Sequence, residues 1–529
     1  MTLAAVDRPD VRDEPEYSEQ SEPPEQPPRR RRPRINRDFA ILGALLTVVL
    51  LVQGWNIADY PTVSDDEGTY LAQAWAIQHG HGLAPYTYWY DHPPGGWIQL
   101  ALLTWIPALF THSHLIAAYA RIVMLPFTAG DVALLYLLAK RMSGSRWTAV
   151  ATGAIFALSP LSVTLQREVF LDNVAVFWIL AAFVLASSTR QHLWLHVSAG
   201  AAAAIAVLSK ETMLIAVPGL IVAVWQYAHP RTRKFTLAGF FTAISLVGIF
   251  YPLYALLKGE LFPGAGHVSL IGGVEFQMER PGSGSVFSPG SGSAQTLHDW
   301  LYYDPLIVLV GVAALVPMLF VRNYRGPAVA GLLLVVMALR PGYLPAMYII
   351  QVLPFFAIAI AGLGHHIIRL LLKGERATWL RRGVVAALVG TTLGMVGPRW
   401  AAGDATALTT DSNLTYNQAA DWMRANLHPT KSSKIVVDDG LWLNAVQDGF
   451  QPGYGAIWFY KVDLDPAVEA VLPHGWRSIQ YVVSTPTIRN DLSSLPTVDA
   501  AIQHSKVVAS FGNGAGVIQV RQVLDGGSP

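Results

Sequence analysis

The 529-residue chain contains no cysteine, which excludes disulfides, zinc–thiolate sites, iron–sulfur clusters and a cysteine nucleophile. Charge is scarce too: Asp, Glu, Lys and Arg make up 14% of residues, against about 25% in an average protein. The 37 basic and 36 acidic residues nearly cancel, so no attraction to nucleic acid is expected. Nor is there a phosphate-binding P-loop, because Gly282-Ser283-Gly284-Ser285 has no Gly-Lys-Ser/Thr after it and no strand before it. What the chain has in excess is apolar residues, 52% of the total, gathered in long runs. It reads as a polytopic α-helical membrane protein.

Residues 1–38 are rich in Pro, Glu and Arg without apolar periodicity, and are expected to form a disordered cytoplasmic tail. The arginines ending that tail precede an apolar run at 39–55, which predicts an uncleaved anchor with the N-terminus inside. Further spans are predicted near 115–139, 147–165, 169–188, 193–208, 212–228, 235–257, 302–321, 327–340, 343–363 and 383–398, about eleven in all. Loops assigned to the inside carry Lys140, Arg141 and Arg146, then Arg190, then Arg231, Arg233 and Lys234, then Arg322 and Arg325. The last of them holds Arg369, Lys373, Arg376, Arg381 and Arg382. That bias, with an odd number of spans, puts the C-terminal part outside; the chain is expected in the plasma membrane. Segment 95–110 is apolar but short, and counting it as a span would invert every later loop, so it reads as interfacial or re-entrant.

Two large outer loops are expected within the body 39–400, at 57–94 and 258–301. The second is rich in Gly, Ser and Pro and reads as flexible. The remainder, 401–529, turns polar and predicts a small extracytoplasmic α/β domain, with a helix at 415–427 and strands at 434–437, 479–484, 507–511 and 516–521.

Polar residues collect at the outer ends of the spans. Ser64-Asp65-Asp66-Glu67 fits a capping box with acids at the positive end of a helix dipole; the same rigid helix start could mount a general base. Tyr86 to Tyr90 resemble an interfacial aromatic belt, and two prolines after His92 fix His92 and Asp91 relative to that helix. His79, His81 and His92 match no zinc spacing. Arg167 with Asp172, Lys210 with Glu211, and Arg340 with Tyr343 and Tyr348 fall at three further outer turns. Each of these groups reads equally as an intramembrane ion pair or a snorkelling side chain. Their shared side predicts one polar, partly cationic cavity. A carboxylate base facing cations suits transfer from a phosphate-bearing donor, the cations neutralising the departing phosphate. Asp438-Asp439, at a strand end, reads as a turn rather than a metal site.

The order Asp66-Glu67, His92-Pro93-Pro94, Arg167 to Asp172, and Ser209-Lys210-Glu211-Thr212 resembles the GT-C glycosyltransferases, in particular the protein O-mannosyltransferase and aminoarabinose-transferase-like branch. The likeness covers roughly 39–400. It implies a GT-C fold with about eleven transmembrane helices, and a lipid bilayer, a polyprenyl-phosphate sugar donor and a protein, lipid or glycan acceptor as partners. By resemblance Asp66 would be the catalytic base, assisted by Glu67, with Asp65 as the competing carboxylate. Lys210, Arg167, Arg340 and Tyr343 would meet the donor phosphate, supported by His92, Asp91, Asp172 and Glu211. No cofactor or catalytic metal is implied, a divalent ion staying open. The rival reading is a transporter or flippase, for which Asp131 inside a predicted span is the main argument; a third is a non-catalytic lipid-binding member of the same fold.

Overall fold

A computed structural model describes residues 37–105, 114–373 and 378–524. The expected N-terminal tail, positions 106–110 of the interfacial segment and Arg376 therefore lie outside the described residues.

Among the described residues, each predicted span is mainly helical. Five helices are long and apolar enough to cross a bilayer: Arg37–Gly54, Ile116–Ser143, Arg233–Leu257, Ala346–Leu372 and the one beginning at Thr378. Gly292–Tyr303 and Pro305–Met318, bent by 104° at their junction, would make a sixth if they form one span. Leu171–Ala186, Leu193–Ser209 and Glu211–Tyr227 are apolar but shorter. The run at 147–165, expected to be continuous, is split at Ser159 into Arg146–Leu158 and Pro160–Leu165. Proline at the start of the second piece forces the break, because its ring cannot follow a continuing helix.

Burial separates central from peripheral helices. The apolar window of Ala346–Leu372 is 83% buried, whereas that of Arg37–Gly54 is 17% buried and turns its side chains outward. Central helices approach closely through small residues, as expected where apolar surroundings give little hydrophobic drive for association. At Gly200 in Leu193–Ser209 a Cβ would lie 2.2 Å from the Phe240 carbonyl oxygen of the neighbouring helix.

Between the first span and Ile116 lie helices Asp65–Gln78 and Gly95–Leu103. The nine residues of the latter are too few to cross a bilayer. The loop read as flexible, 258–301, is instead largely folded, with helices Leu270–Glu279 and Gly292–Tyr303. Its Gly/Ser stretch is pinned to the turn after Arg340: the Ser283 amide donates to the Gly342 carbonyl at 3.1 Å and the Leu344 amide to Ser283 Oγ at 3.0 Å. Composition alone could not foresee these long-range partners.

The last long helix ends at Thr409, and a mixed five-stranded sheet follows. Its strands are β1 (Ile435–Val437), β2 (Ala456–Trp458), β3 (Tyr481–Ser484), β4 (Ser505–Phe511) and β5 (Ile518–Val523), in the order β2-β1-β3-β5-β4. β1 pairs in parallel with β2 and β3, while β5 runs antiparallel to β3 and β4. Four strands correspond to predicted ones. β2 went unpredicted because three buried residues carry no readable alternation.

This domain docks onto the first loop. Tyr86 inserts its hydroxyl between strand and helix, donating to the Ala456 carbonyl at 2.8 Å and accepting from Trp442 Nε1 and the Trp458 amide. Lys461 lies 3.1 Å above the Trp89 ring centroid, a cation–π contact. Helix Asp65–Gln78 packs on Asp439–Gln447 so tightly that a Cβ on Gly68 would sit 2.1 Å from the Asp439 carbonyl. Gly68→Ala should therefore loosen the docked domain at a cost of about 1–3 kcal/mol, read as a lower melting temperature and faster proteolysis after residue 409.

Candidate active site

Successive residues of an α-helix point about 100° apart, so the three acids opening Asp65–Gln78 face three ways. Glu67 faces inward and is fully buried. Its Oε1 accepts from Arg121 Nε at 2.8 Å and the Val169 amide at 2.9 Å; Oε2 accepts from Arg121 Nη2 at 2.7 Å and the Ser64 amide at 3.2 Å. The last of these is the backbone half of the expected capping box. With both oxygens doubly engaged, Glu67 has no capacity left for an acceptor.

Asp65 faces the C-terminal domain, toward Asp438, Asp491 and Thr487. Burial, then the neighbouring Asp438, Asp66 and Asp491, push its carboxyl up to about 8. The expected Asp438-Asp439 turn is the start of Asp439–Gln447, where Asp438 caps the helix and accepts from Tyr416. Asp439 accepts from the Thr69 and Tyr460 hydroxyls. Burial raises both of these carboxyls as well. This acidic seam is a contact between two parts of the chain, and Asp65 is half-buried in it.

Asp66 alone of the three has no hydrogen-bond partner among the described residues, and it acts electrostatically on Lys210. Lys210 follows helix Leu193–Ser209, is 5% exposed, and also interacts with Asp172, Glu211 and Asp91. Its Nζ lies 3.2 Å from His92 Nε2, and His92 Nδ1 lies 3.1 Å from Glu211 Oε2. The consistent assignment has the lysine donating to Nε2 and the Nδ1–H donating to the carboxylate. Asp172 Oδ1 accepts from Gln351 Nε2 at 2.6 Å, and its other oxygen is unpartnered. The structure thus gathers Asp66, Asp91, His92, Asp172, Lys210 and Glu211 at one place.

Other expected members are elsewhere. Arg167 donates to the Ala407 carbonyl at 3.1 Å and the Val52 carbonyl at 2.6 Å, tying the first and last long helices together. It makes no pair with Asp172, so the anticipated ion pair is replaced by a carbonyl clamp. Arg340 is exposed and reaches the cluster only through Tyr348, which senses both Arg340 and Asp172. Tyr343 is half exposed and carries Arg280 stacked 3.8 Å over its ring. The expected cationic cavity is accordingly corrected to a carboxylate-rich floor around one lysine, with Arg340 and Arg280 farther out. His79 and His81 both stack on Trp75, away from His92. Among the described residues no three His, Asp or Glu side chains stand in metal-holding geometry.

Sequence reasoning missed Arg121, Gln351 and Arg280. Arg121 had a signal: a charge inside a predicted span implies a buried partner. Gln351 and Arg280 had none, since only folding brings them near Asp172 and Tyr343.

A family model for dolichyl-phosphate-mannose-protein mannosyltransferase matches residues 103–259. Among solved structures, ArnT from Cupriavidus metallidurans bound to undecaprenyl phosphate is similar over 93% of this chain and 99% of its own, with a TM-score of 0.58 and 16% identity. The apo oligosaccharyltransferase of Archaeoglobus fulgidus is similar over 90% of this chain and 74% of its own, with a TM-score of 0.52 and 14% identity. The chain has the GT-C glycosyltransferase fold. No curated protein matches the sequence. The segment matched by the family model holds Arg121, Arg167, Asp172, Lys210 and Glu211, while the first-loop carboxylates precede it.

Two outcomes follow from the geometry. Arg121→Met leaves Glu67 charged and unpaired, and should lower stability in detergent by about 3–5 kcal/mol, measured by thermal unfolding. Asp65, held above its ordinary 3.8 when folded, contributes stability that is complete below that value and lost as pH rises through about 8. Asp65→Asn should therefore flatten the fall in melting temperature between about pH 4 and pH 8, the interval between the two values.

Proposed function

We propose that this chain is a membrane glycosyltransferase that moves a sugar from a polyprenyl-phosphate-linked donor to an acceptor hydroxyl or amine. The observation that carries the reading is the distinct fate of adjacent carboxylates: Glu67 is saturated, Asp65 is turned to the acids of the C-terminal domain, and Asp66 is unengaged and within electrostatic reach of buried Lys210. The GT-C fold supports it, as does a fold relative, ArnT, bound to undecaprenyl phosphate. The family model's description, naming a dolichyl-phosphate-linked mannose, points to a mannosyltransferase-like activity.

In this proposal the acceptor oxygen or nitrogen attacks the anomeric carbon while Asp66 takes its proton. The bond from that carbon to the phosphate oxygen breaks, and polyprenyl phosphate leaves with the electron pair. One displacement inverts the anomeric centre. Lys210 offsets the charge that grows on the departing phosphate, and Arg340, with Tyr343 beside it, meets the phosphate nearer the surface. Glu211 holds His92, and His92 in turn holds the lysine, which fixes its position. Asp172 and Asp91 add to the field around it. Arg167 serves this site indirectly, through the helices it clamps. No cofactor enters the scheme. The same reading carries eleven spans in the plasma membrane, a cytoplasmic N-terminus and a C-terminal domain outside, where protein, lipid or glycan acceptors approach.

With purified protein and a radiolabelled polyprenyl-phosphate sugar, Asp66→Asn should lower turnover by about 10²- to 10⁴-fold, while Asp65→Asn keeps most of it. Loss in Asp65→Asn with retention in Asp66→Asn would move the base by one residue. If neither substitution matters, the catalytic reading fails; uptake of substrate into vesicles without covalent product would favour transport.

A further inference from the structure

Helices Leu171–Ala186 and Glu211–Tyr227 present Asp172 and Glu211 at one end of the body. About 24 Å away, at the helical rise of 1.5 Å per residue, their opposite ends meet again. There a hollow of about 260 Å³ is lined by Thr189, Gln191, Gln226, Tyr227, Arg322 and Asn323. Gln226 Oε1 and the Tyr227 hydroxyl are buried in it without hydrogen-bond partners.

One cation, Arg322, lines this hollow; Arg141 acts on its Tyr227, and Arg190 lies between two lining residues, Thr189 and Gln191. Arg322 Nη2 donates to the Gln226 carbonyl at 3.4 Å, and Arg141 donates to the Val184 carbonyl. Both guanidinium groups act on the Tyr227 hydroxyl, and Arg190 acts on Arg141. Asp38 is spent on Lys140 at 2.5 Å and Arg146 at 3.7 Å. Among the described residues none of Arg141, Arg190 and Arg322 forms an ion pair.

The plain explanation is that these arginines orient the chain and cap helix carbonyls. Orientation needs charge anywhere in a loop, not one arginine lining a polar hollow and two more beside it. Capping uses one of the five N–H donors on Arg141 and one on Arg322, leaving the rest available. The hollow falls below the roughly 300 Å³ at which drug-sized ligands are accommodated, so it fits a headgroup rather than a sugar-bearing lipid. A basic pocket between helices at the membrane boundary is suited to phospholipid phosphate.

We propose that this hollow binds a phosphate-bearing anion, the headgroup of an anionic phospholipid, between Arg141, Arg190 and Arg322. The phosphate oxygens accept from the guanidinium groups and from the Tyr227 hydroxyl, while a headgroup hydroxyl donates to Gln226 Oε1. The site is independent of the transfer chemistry and would stand if that reading fell.

Native mass spectrometry of the full chain in detergent, titrated with phosphatidylglycerol, tests it. Saturable binding is expected, weakened about 30-fold by Arg190→Gln with Arg322→Gln, two exposed side chains each giving about fivefold. Arg369→Gln with Arg382→Gln removes the same charge from the ends of two other helices and should leave binding unchanged. Equal loss in both double variants, or equal binding of phosphatidylcholine, would overturn the proposal. Displacement of the lipid by glycerol phosphate at comparable concentration would overturn the lipid assignment in favour of a soluble phosphate ester. An unaltered melting temperature of the lipid-free variants separates lost binding from lost folding.

Discussion

The buried pair of Glu67 and Arg121 is the constraint on which the candidate site depends. Two fully desolvated charges in an apolar body are tolerated only when each is met by partners in good geometry, and here the carboxylate accepts four N–H groups. Arg121 also donates to the carbonyls of Ile57 and Pro61, so one guanidinium gathers the entry to the first loop, the start of Asp65–Gln78 and the helix carrying it. Rotation of that helix is thereby fixed. Once Glu67 is anchored inward, helix geometry sends Asp65 to one neighbour and Asp66 to another.

That rotation joins two parts of the chain far apart in sequence. On one side Asp65 and Thr69 meet Asp438, Asp439 and Thr487 of the C-terminal domain; on the other Asp66 acts on Lys210. The C-terminal domain thus serves as a wall against which the acid-bearing helix is pressed, with Tyr86 as its fastening. The folded 258–301 loop closes from another direction: Gln277 donates to the Asp91 carbonyl and Glu260 accepts from Tyr90. Asp91 and His92 are held from three sides, which limits the drift of the groups around Lys210.

Much of the fold was legible because membranes impose simple rules. Apolar runs must be helical to satisfy their backbone in hydrocarbon, and among the described residues each predicted span is mainly so. Their lengths were less legible: short central helices such as Leu171–Ala186 are covered by protein and need not match a bilayer's thickness. For the site, Asp66, His92 and Lys210 were recognisable from motif order. The place of Arg167 was not, since an arginine at the end of a helix can turn to a phosphate or to the Val52 and Ala407 carbonyls with equal sequence signature.

The sequence by itself determined the membrane-type helical architecture, the mixed C-terminal domain and the set of polar residues available for chemistry, because these follow from local hydropathy and periodicity. Tertiary structure alone decided which of three adjacent carboxylates stays unengaged, that the site has a carboxylate-rich floor rather than a cationic one, and that Arg280 and Gln351 belong near it. Those outcomes depend on helix rotation and on contacts between residues hundreds of positions apart, such as Glu67 with Val169 or Thr69 with Asp439. No local pattern encodes them; they are set by which partners satisfy a buried charge.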